Sequence, residues 1–160
     1  MIKPYAIALL GLLSSTASMA KPDHIFLLRH AEKAAGQNPS LTAQGQLRAN
    51  AIAKQLSPWQ PNHLFSSNYK RTQETLAPLA KMTKQEVSIY NARELSAFAA
   101  ELLEHNGVVV VAGHSNTTPE LLAELSGYKV MIAEDEFHKL FELRLHNGEY
   151  RLIRHQSKSE

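Results

Sequence analysis

The stretch Gly107-Val-Val-Val-Val-Ala-Gly113-His114-Ser115-Asn116 decides how this 160-residue chain is read. Four consecutive valines between glycines have the composition of a strand buried on both faces, because a strand with one wet face alternates apolar with polar residues. His24-Ile-Phe-Leu-Leu-Arg29 is a second run of this kind, and Asn62–Ser67 and Glu86–Tyr90 are shorter strand candidates. Between them the apolar period changes to that of a helix. Leu47, Ala51, Ile52 and Leu56 share one face, with Pro58 and Pro61 closing the segment. Tyr69 to about Met82 reads as a helix that Pro78 kinks or splits, and Glu94–His105 is helical through Leu95, Phe98, Ala99 and Leu102. Downstream, Pro119 suits the first turn of a helix that runs to about Ser126 and stops at Gly127. Leu140–Leu145 and Tyr150–Arg154 flank Asn147-Gly148, a tight-hairpin dipeptide. Strand and helix in alternation predict an α/β fold, a three-layer α/β/α sandwich with a mainly parallel sheet and a C-terminal antiparallel hairpin. No repeat or linker interrupts residues 24–155, so a single domain over 21–160 is expected.

Composition narrows the function. Lys and Arg number 17 against 15 Asp and Glu, a formal charge of +2. That balance speaks against a nucleic-acid partner, which would call for a clustered basic excess. The chain has no cysteine, so disulfides, zinc–thiolate sites, iron–sulfur clusters and a cysteine nucleophile are excluded. Met1–Ala20 carries Lys3, the apolar run Tyr5–Leu13, and small residues at Ser18 and Ala20. This is the pattern of a cleaved signal peptide, with a mature chain from Lys21 that is periplasmic or secreted. The plainer alternatives are a core helix or a short anchor, but about nine strongly apolar residues cannot span a roughly 30 Å hydrocarbon layer. No other stretch has the length of a membrane span.

In open α/β sheets ligands bind beyond the carboxyl ends of the strands. Three strand ends here run into Arg29-His30-Ala31-Glu32-Lys33, Ser66-Ser-Asn-Tyr-Lys-Arg71-Thr72 and Gly113-His114-Ser115-Asn116. One such Arg is usually a surface ion pair and one such His is usually solvated; the same applies to His24, His63, His105, His138, His146 and His155. Two Arg and two His at one sheet edge are a different matter. Guanidinium groups bind phosphate oxygens as a fork and stay charged. A neutral imidazole attacks phosphorus, and a second, protonated one donates to oxygens that gain charge. The set suits phosphoryl transfer through a phosphohistidine. A metal fits poorly, because no H-x-x-x-H-type pair is present and the Arg neighbours would repel a cation.

These segments resemble the histidine phosphatase, or phosphoglycerate mutase-like, superfamily. Its R-H-x motif corresponds to Arg29-His30-Ala31, and its L-T-x-x-G segment to Leu41-Thr42-Ala43-Gln44-Gly45. Its S-x-x-x-R-[AT]-x-x-T segment corresponds to Ser67, Arg71, Thr72 and Thr75, and its G-H motif to Gly113-His114. The chain is similar to small exported members with R-H-A-E-K and G-H-S-N-T, and in size to the compact phosphohistidine phosphatase branch. The resemblance implies His30 as the nucleophile, Arg29, Arg71 and His114 as the phosphate pocket, and no metal or organic cofactor. It implies a phosphatase acting on a small phosphorylated substrate or a phosphorylated macromolecule, as a phosphomonoester or a phosphoramidate. Ala31 departs from the usual Gly. Ser115 after His114 departs from the H-D pair of the phytase and acid phosphatase branch. Larger members supply a proton donor from an L-x-E-type segment, for which Glu94 is the nearest match; its plainer role is a helix N-terminal carboxylate. Glu32 is the second candidate and Asp135 or Glu136 the third, and the compact branch manages without one.

Two competing functions are set beside this. Gly113-His-Ser115-Asn-Thr117 partly matches the nucleophile elbow of α/β-hydrolases, with Asp135 and His138 following in order, but Thr117 stands where that motif has Gly. That reading leaves Arg29, His30 and Arg71 unused. A non-catalytic binder of phosphorylated ligands would keep the Arg pocket alone.

Overall fold

The computed structural model describes residues 21–158, so the proposed signal segment lies outside the described residues. Strands β1 (His24–Arg29), β2 (His63–Ser67), β3 (Val87–Tyr90), β4 (Val108–Gly113), β5 (Lys139–His146) and β6 (Glu149–Gln156) form one sheet in the order β3-β2-β4-β1-β5-β6. The β3–β2, β2–β4 and β4–β1 pairings are parallel, and β1–β5 and β5–β6 are antiparallel. Asn147 and Gly148 make the hairpin turn with φ of 52° and 83°, the left-handed conformation that the Asn-Gly pair adopts readily.

The apolar runs are continuous because each strand serves two cores. Ile25, Leu27, Val109 and Val111 face one side, where α3 (Leu95–Leu102) and α4 (Thr117–Ser126) pack through Phe98, Leu102, Leu121 and Leu122. Phe26, Leu28, Val110 and Ala112 face the other, against Ile52 and Leu56 of α1 (Ala43–Leu56) and Leu76 and Leu79 of α2 (Lys70–Thr83). The α/β/α layering follows directly. Pro78 lies inside α2 without splitting it. An interior proline costs about 3 kcal/mol, and the burial of Leu76 and Leu79 on either side offsets that.

Two histidines expected to be merely solvated have a defined partner. Glu142 on β5 is fully buried, and its carboxylate takes His24 Nδ1 at 2.8 Å, His155 Nε2 at 2.7 Å and Arg144 Nε at 2.8 Å. Nothing in the local sequence around Glu142 announces this, because the three partners come from β1, β5 and β6.

The L-T-x-x-G segment has a mechanical reason. Thr42 caps α1, its Oγ1 accepting from the Gly45 N–H at 3.1 Å, while the Thr42 N–H donates to the Glu32 carbonyl at 2.9 Å. The helix therefore lies against the loop that follows β1. A Cβ on Gly45 would meet the Glu32 carbonyl oxygen far inside van der Waals contact. Gly45→Ala is expected to lower stability in urea unfolding by about 1–3 kcal/mol. A midpoint equal to that of the parent protein would contradict this packing.

Candidate active site

The parallel register brings the polar groups together. Arg29 pairs with Gly113 across β1 and β4, and Ser66 pairs with Ala112 across β2 and β4, so three strands end at one level. The next residues, His30, Ser67 and His114, project from that rim. His30 N–H continues the ladder to the Gly113 carbonyl at 2.9 Å. Arg71, on the first turn of α2, reaches the same place. The four residues singled out in the sequence all line one cavity of about 370 Å³.

A net of hydroxyls fixes the rim. Thr75 Oγ1 accepts from the Ala31 N–H at 2.9 Å and donates to the Arg71 carbonyl at 2.6 Å, tying the loop after His30 to the turn that carries Arg71. Thr72 Oγ1 donates to the Ser67 carbonyl at 2.9 Å, and Thr117 Oγ1 accepts from the His114 N–H at 3.1 Å. Gly113 leaves the room these groups need: a Cβ there would crowd Thr117 Oγ1, Thr118 Oγ1 and the Tyr90 hydroxyl. The spacing of the S-x-x-x-R-T-x-x-T segment is thus the spacing of a hydrogen-bond frame.

His30 is 3% exposed, and its Nδ1 lies 2.7 Å from the Ala31 carbonyl. A carbonyl only accepts, so Nδ1 carries the proton and Nε2 keeps its lone pair. Burial above all, with Arg29, Arg71 and His114 adding to it, pushes the imidazole down to about 4 against the pull of the Ala31 carbonyl. It is neutral at pH 7. His114 stands with its ring centroid 5.5 Å from that of His30. Its Nδ1 faces Arg71 at 3.4 Å and so accepts, and Nε2–H donates to Ser67 Oγ at 2.8 Å, which in turn donates to Thr72 Oγ1. Burial, then Arg71 and Arg29, hold His114 at about 4 as well. The sequence reading has His114 protonated. In this frame it is neutral, and only an anion beside it would reverse the sign of the local field.

Arg29, 2% exposed, donates from one terminal nitrogen to the Ala133 and Glu134 carbonyls at 2.8 and 2.7 Å, and from the other to Glu134 Oε2 at 3.1 Å. Phe137 lies under it at 4.2 Å, as Tyr69 lies by Arg71 at 4.4 Å. Nε of Arg29 and Nε of Arg71 are both buried without a hydrogen-bond partner. Both residues line the cavity, and two guanidiniums at one cavity fit an oxyanion ligand.

The carboxylates divide clearly. Glu94 stands at the N-cap of α3, and its neighbours Ala92 and Arg93 line the cavity while Glu94 does not. Glu32 accepts from Arg48 at both oxygens, Oε1 at 2.7 Å and Oε2 at 2.9 Å; burial pushes it up, but the Arg48 bonds outweigh that and hold it low. Glu136 pairs with Lys139 and accepts from the Ala133 N–H, and Asp135 contributes only to the field at Arg29. The carboxylate that does line the cavity is Glu134, the member of the acidic loop that sequence reasoning passed over. Ser115 Oγ donates to it at 2.5 Å. That bond, then Arg29, holds its carboxyl below the usual range. The same bond pairs Ser115 with a carboxylate, not with the histidine that a Ser-His-Asp triad places at the nucleophile. Phe137 and Arg93 had no signal in the sequence, since their loops carry no motif. Among the described residues, no group of three or more His, Asp or Glu is placed to hold a metal ion.

The model of the histidine phosphatase superfamily (branch 1) matches residues 25–97. The match contains Arg29, His30 and Arg71 and ends short of His114, which joins the site through the β1–β4 register. No curated protein matches the chain in sequence. The fold is similar to that of the protein histidine phosphatase SixA complexed with tungstate (TM-score 0.68, 18% identity, 84% of this chain and 96% of that one). It is also similar to a mycobacterial glucosyl-3-phosphoglycerate phosphatase with inorganic phosphate (0.67, 18%, 86% and 98%). A putative phosphohistidine phosphatase SixA from Agrobacterium tumefaciens is 26% identical, with a TM-score of 0.62 over 82% of this chain and 95% of that one.

The two imidazoles give a direct check. In histidine-selective NMR of the free protein, two ring signals are expected to keep neutral shifts down to about pH 5, with midpoints near 4 and loss of the respective signal in His30→Ala and His114→Ala. Midpoints near the ordinary 6.5 would contradict the burial argument.

Proposed function

We propose that this protein is a phosphatase that needs no metal and works through a phosphohistidine on His30. The observation that carries the reading is the neutral, buried His30, with its Nε2 lone pair free, beside two guanidiniums that line the same cavity. The phosphoryl oxygens dock on Arg29 and Arg71. Nε2 attacks phosphorus in line, the bond from phosphorus to the leaving atom breaks, and a phosphohistidine forms. Water then attacks that phosphorus, its proton goes to solvent, and inorganic phosphate leaves with His30 neutral again. His114 donates to a phosphoryl oxygen once the bound anion has raised its proton affinity. The chain acts after export, as one domain over 21–160 freed of Met1–Ala20.

The substrate class follows from the proton inventory. Glu134, the carboxylate lining the cavity, is held ionised by Ser115 and Arg29, so it has no proton to give. A general acid is worth about 10²–10⁴-fold. Substrates with a good leaving group, such as phosphoramidates, acyl phosphates or aryl phosphates, do without that contribution. The names of the two SixA-like neighbours agree with such a class.

Phosphate release is expected to be about 10²-fold or more faster from phosphoramidate and aryl phosphates than from alkyl phosphates. His30→Ala is expected to abolish it, and Ser115→Ala is expected to reduce it by no more than about tenfold. Loss of carboxylate-ester hydrolysis in Ser115→Ala, with His30→Ala unaffected, would point to the esterase instead. Phosphate binding with no turnover of any ester would mark a binding protein.

A further inference from the structure

The cavity at the strand ends holds more positive charge than one phosphoryl group needs. It is lined by Arg29, Lys33, Arg71 and Arg93, against the one carboxylate of Glu134. With Glu134 and a phosphoryl dianion both counted, a cation is still unmatched. Arg93 is the candidate for that role. Among the described residues no carboxylate pairs with its guanidinium. Its backbone is fixed by a donated bond from Arg93 N–H to Asn91 Oδ1 at 3.1 Å, and the next N–H, of Glu94, donates to the Asn91 carbonyl at 3.1 Å. The loop between β3 and α3 is therefore a tight turn that presents Arg93 in a set place.

Arg93 also stands at a junction. A second cavity of about 520 Å³ adjoins the first, and Tyr69, Ala92 and Arg93 line both. Its further walls are Ile89, half exposed, and the amides of Asn68 and Asn91. A leaving group attached to a phosphoryl on Arg29 and Arg71 has this chamber beside it, with an aromatic ring, an aliphatic wall and a cation at the entrance.

We propose that this adjoining chamber is the leaving-group subsite and that Arg93 binds a second anionic group, a carboxylate or a phosphate, carried by the leaving group. This rests on the phosphatase reading above and narrows its substrate class: the substrate has two anionic ends, one transferred and one held. Arg93 is exposed, so the selectivity it confers is moderate, roughly fivefold.

The test compares 4-carboxyphenyl phosphate, 4-phosphonophenyl phosphate and the neutral 4-carbamoylphenyl phosphate, all aryl esters. The wild-type protein is expected to favour a charged ester over the neutral one by about fivefold in kcat/KM, mainly through KM. Which charged ester leads tells carboxylate from phosphate. In Arg93→Gln the ratio is expected to fall to about one, and Arg93→Lys is expected to retain part of it. Lys33→Gln removes a charge from the first cavity only and is expected to keep the ratio. A wild-type ratio near one, a ratio unmoved in Arg93→Gln, or equal loss in Lys33→Gln would overturn the proposal, the last by reducing it to a general field. A parallel calorimetric arm measures binding of 4-carboxybenzylphosphonate and 4-carbamoylbenzylphosphonate. If no ester is hydrolysed by the wild type, the phosphatase reading fails, and this arm still decides the subsite. A carboxylate preference that Arg93→Gln removes supports it, and equal binding of the two phosphonates refutes it.

Discussion

Two guanidiniums and two imidazoles are held around one small cavity, and the rest of the structure exists to keep them there. Bringing Arg29 and Arg71 together costs repulsion, and burying Arg29 costs hydration. Glu134 and two backbone carbonyls offset part of this for Arg29, and the ring of Phe137 adds to it. The same field acts on the histidines. Burial first, and repulsion from the guanidiniums after it, keep both imidazoles neutral. A site built this way prefers an anion, and it keeps the His30 imidazole unprotonated near neutral pH.

That cluster is possible because the sheet is rigid where it ends. The β1–β4 and β2–β4 pairings fix three strand ends at one level, and the two cores clamp the strands from both faces. Hydroxyls then convert backbone order into side-chain order. Thr75 joins the loop after His30 to the Arg71 turn, Thr72 joins Ser67 to α2, and Thr117 holds the His114 backbone. Short side chains suit this work, because each loses little rotamer freedom on burial. The acidic loop 133–137 adds a softer element: it supplies carbonyls, a carboxylate and a ring to Arg29, all from one turn of chain.

Much of the fold was legible because its signals are local. Four valines between glycines, or Ile-Phe-Leu-Leu ahead of Arg-His, state two-sided burial without reference to anything else. That Arg29, His30, Arg71 and His114 share one cavity was legible because three strand ends in an α/β pattern must meet. What escaped was non-local or electrostatic. Glu142 sits in the middle of a strand and draws partners from β1, β5 and β6, which no window along the chain contains. Glu134 could not be told from Asp135 and Glu136, since which of three adjacent acids turns toward Arg29 is settled by the loop conformation. The charge of His114 depends on burial and on two arginines distant in sequence, so its type and position alone do not fix its protonation state. Arg93 lies on a loop whose neighbour, Glu94, drew attention through motif similarity, yet Arg93 is the one that reaches the cavity.

The central claim is that His30 is the group that accepts the phosphoryl. Its most direct measurement is a rapid alkaline quench after mixing the protein with ³²P-labelled phosphoramidate, followed by peptide mapping. The account requires a label that is stable to alkali, labile to acid and located on His30. A label on Ser115, or turnover with no phosphoenzyme at any quench time, would contradict it.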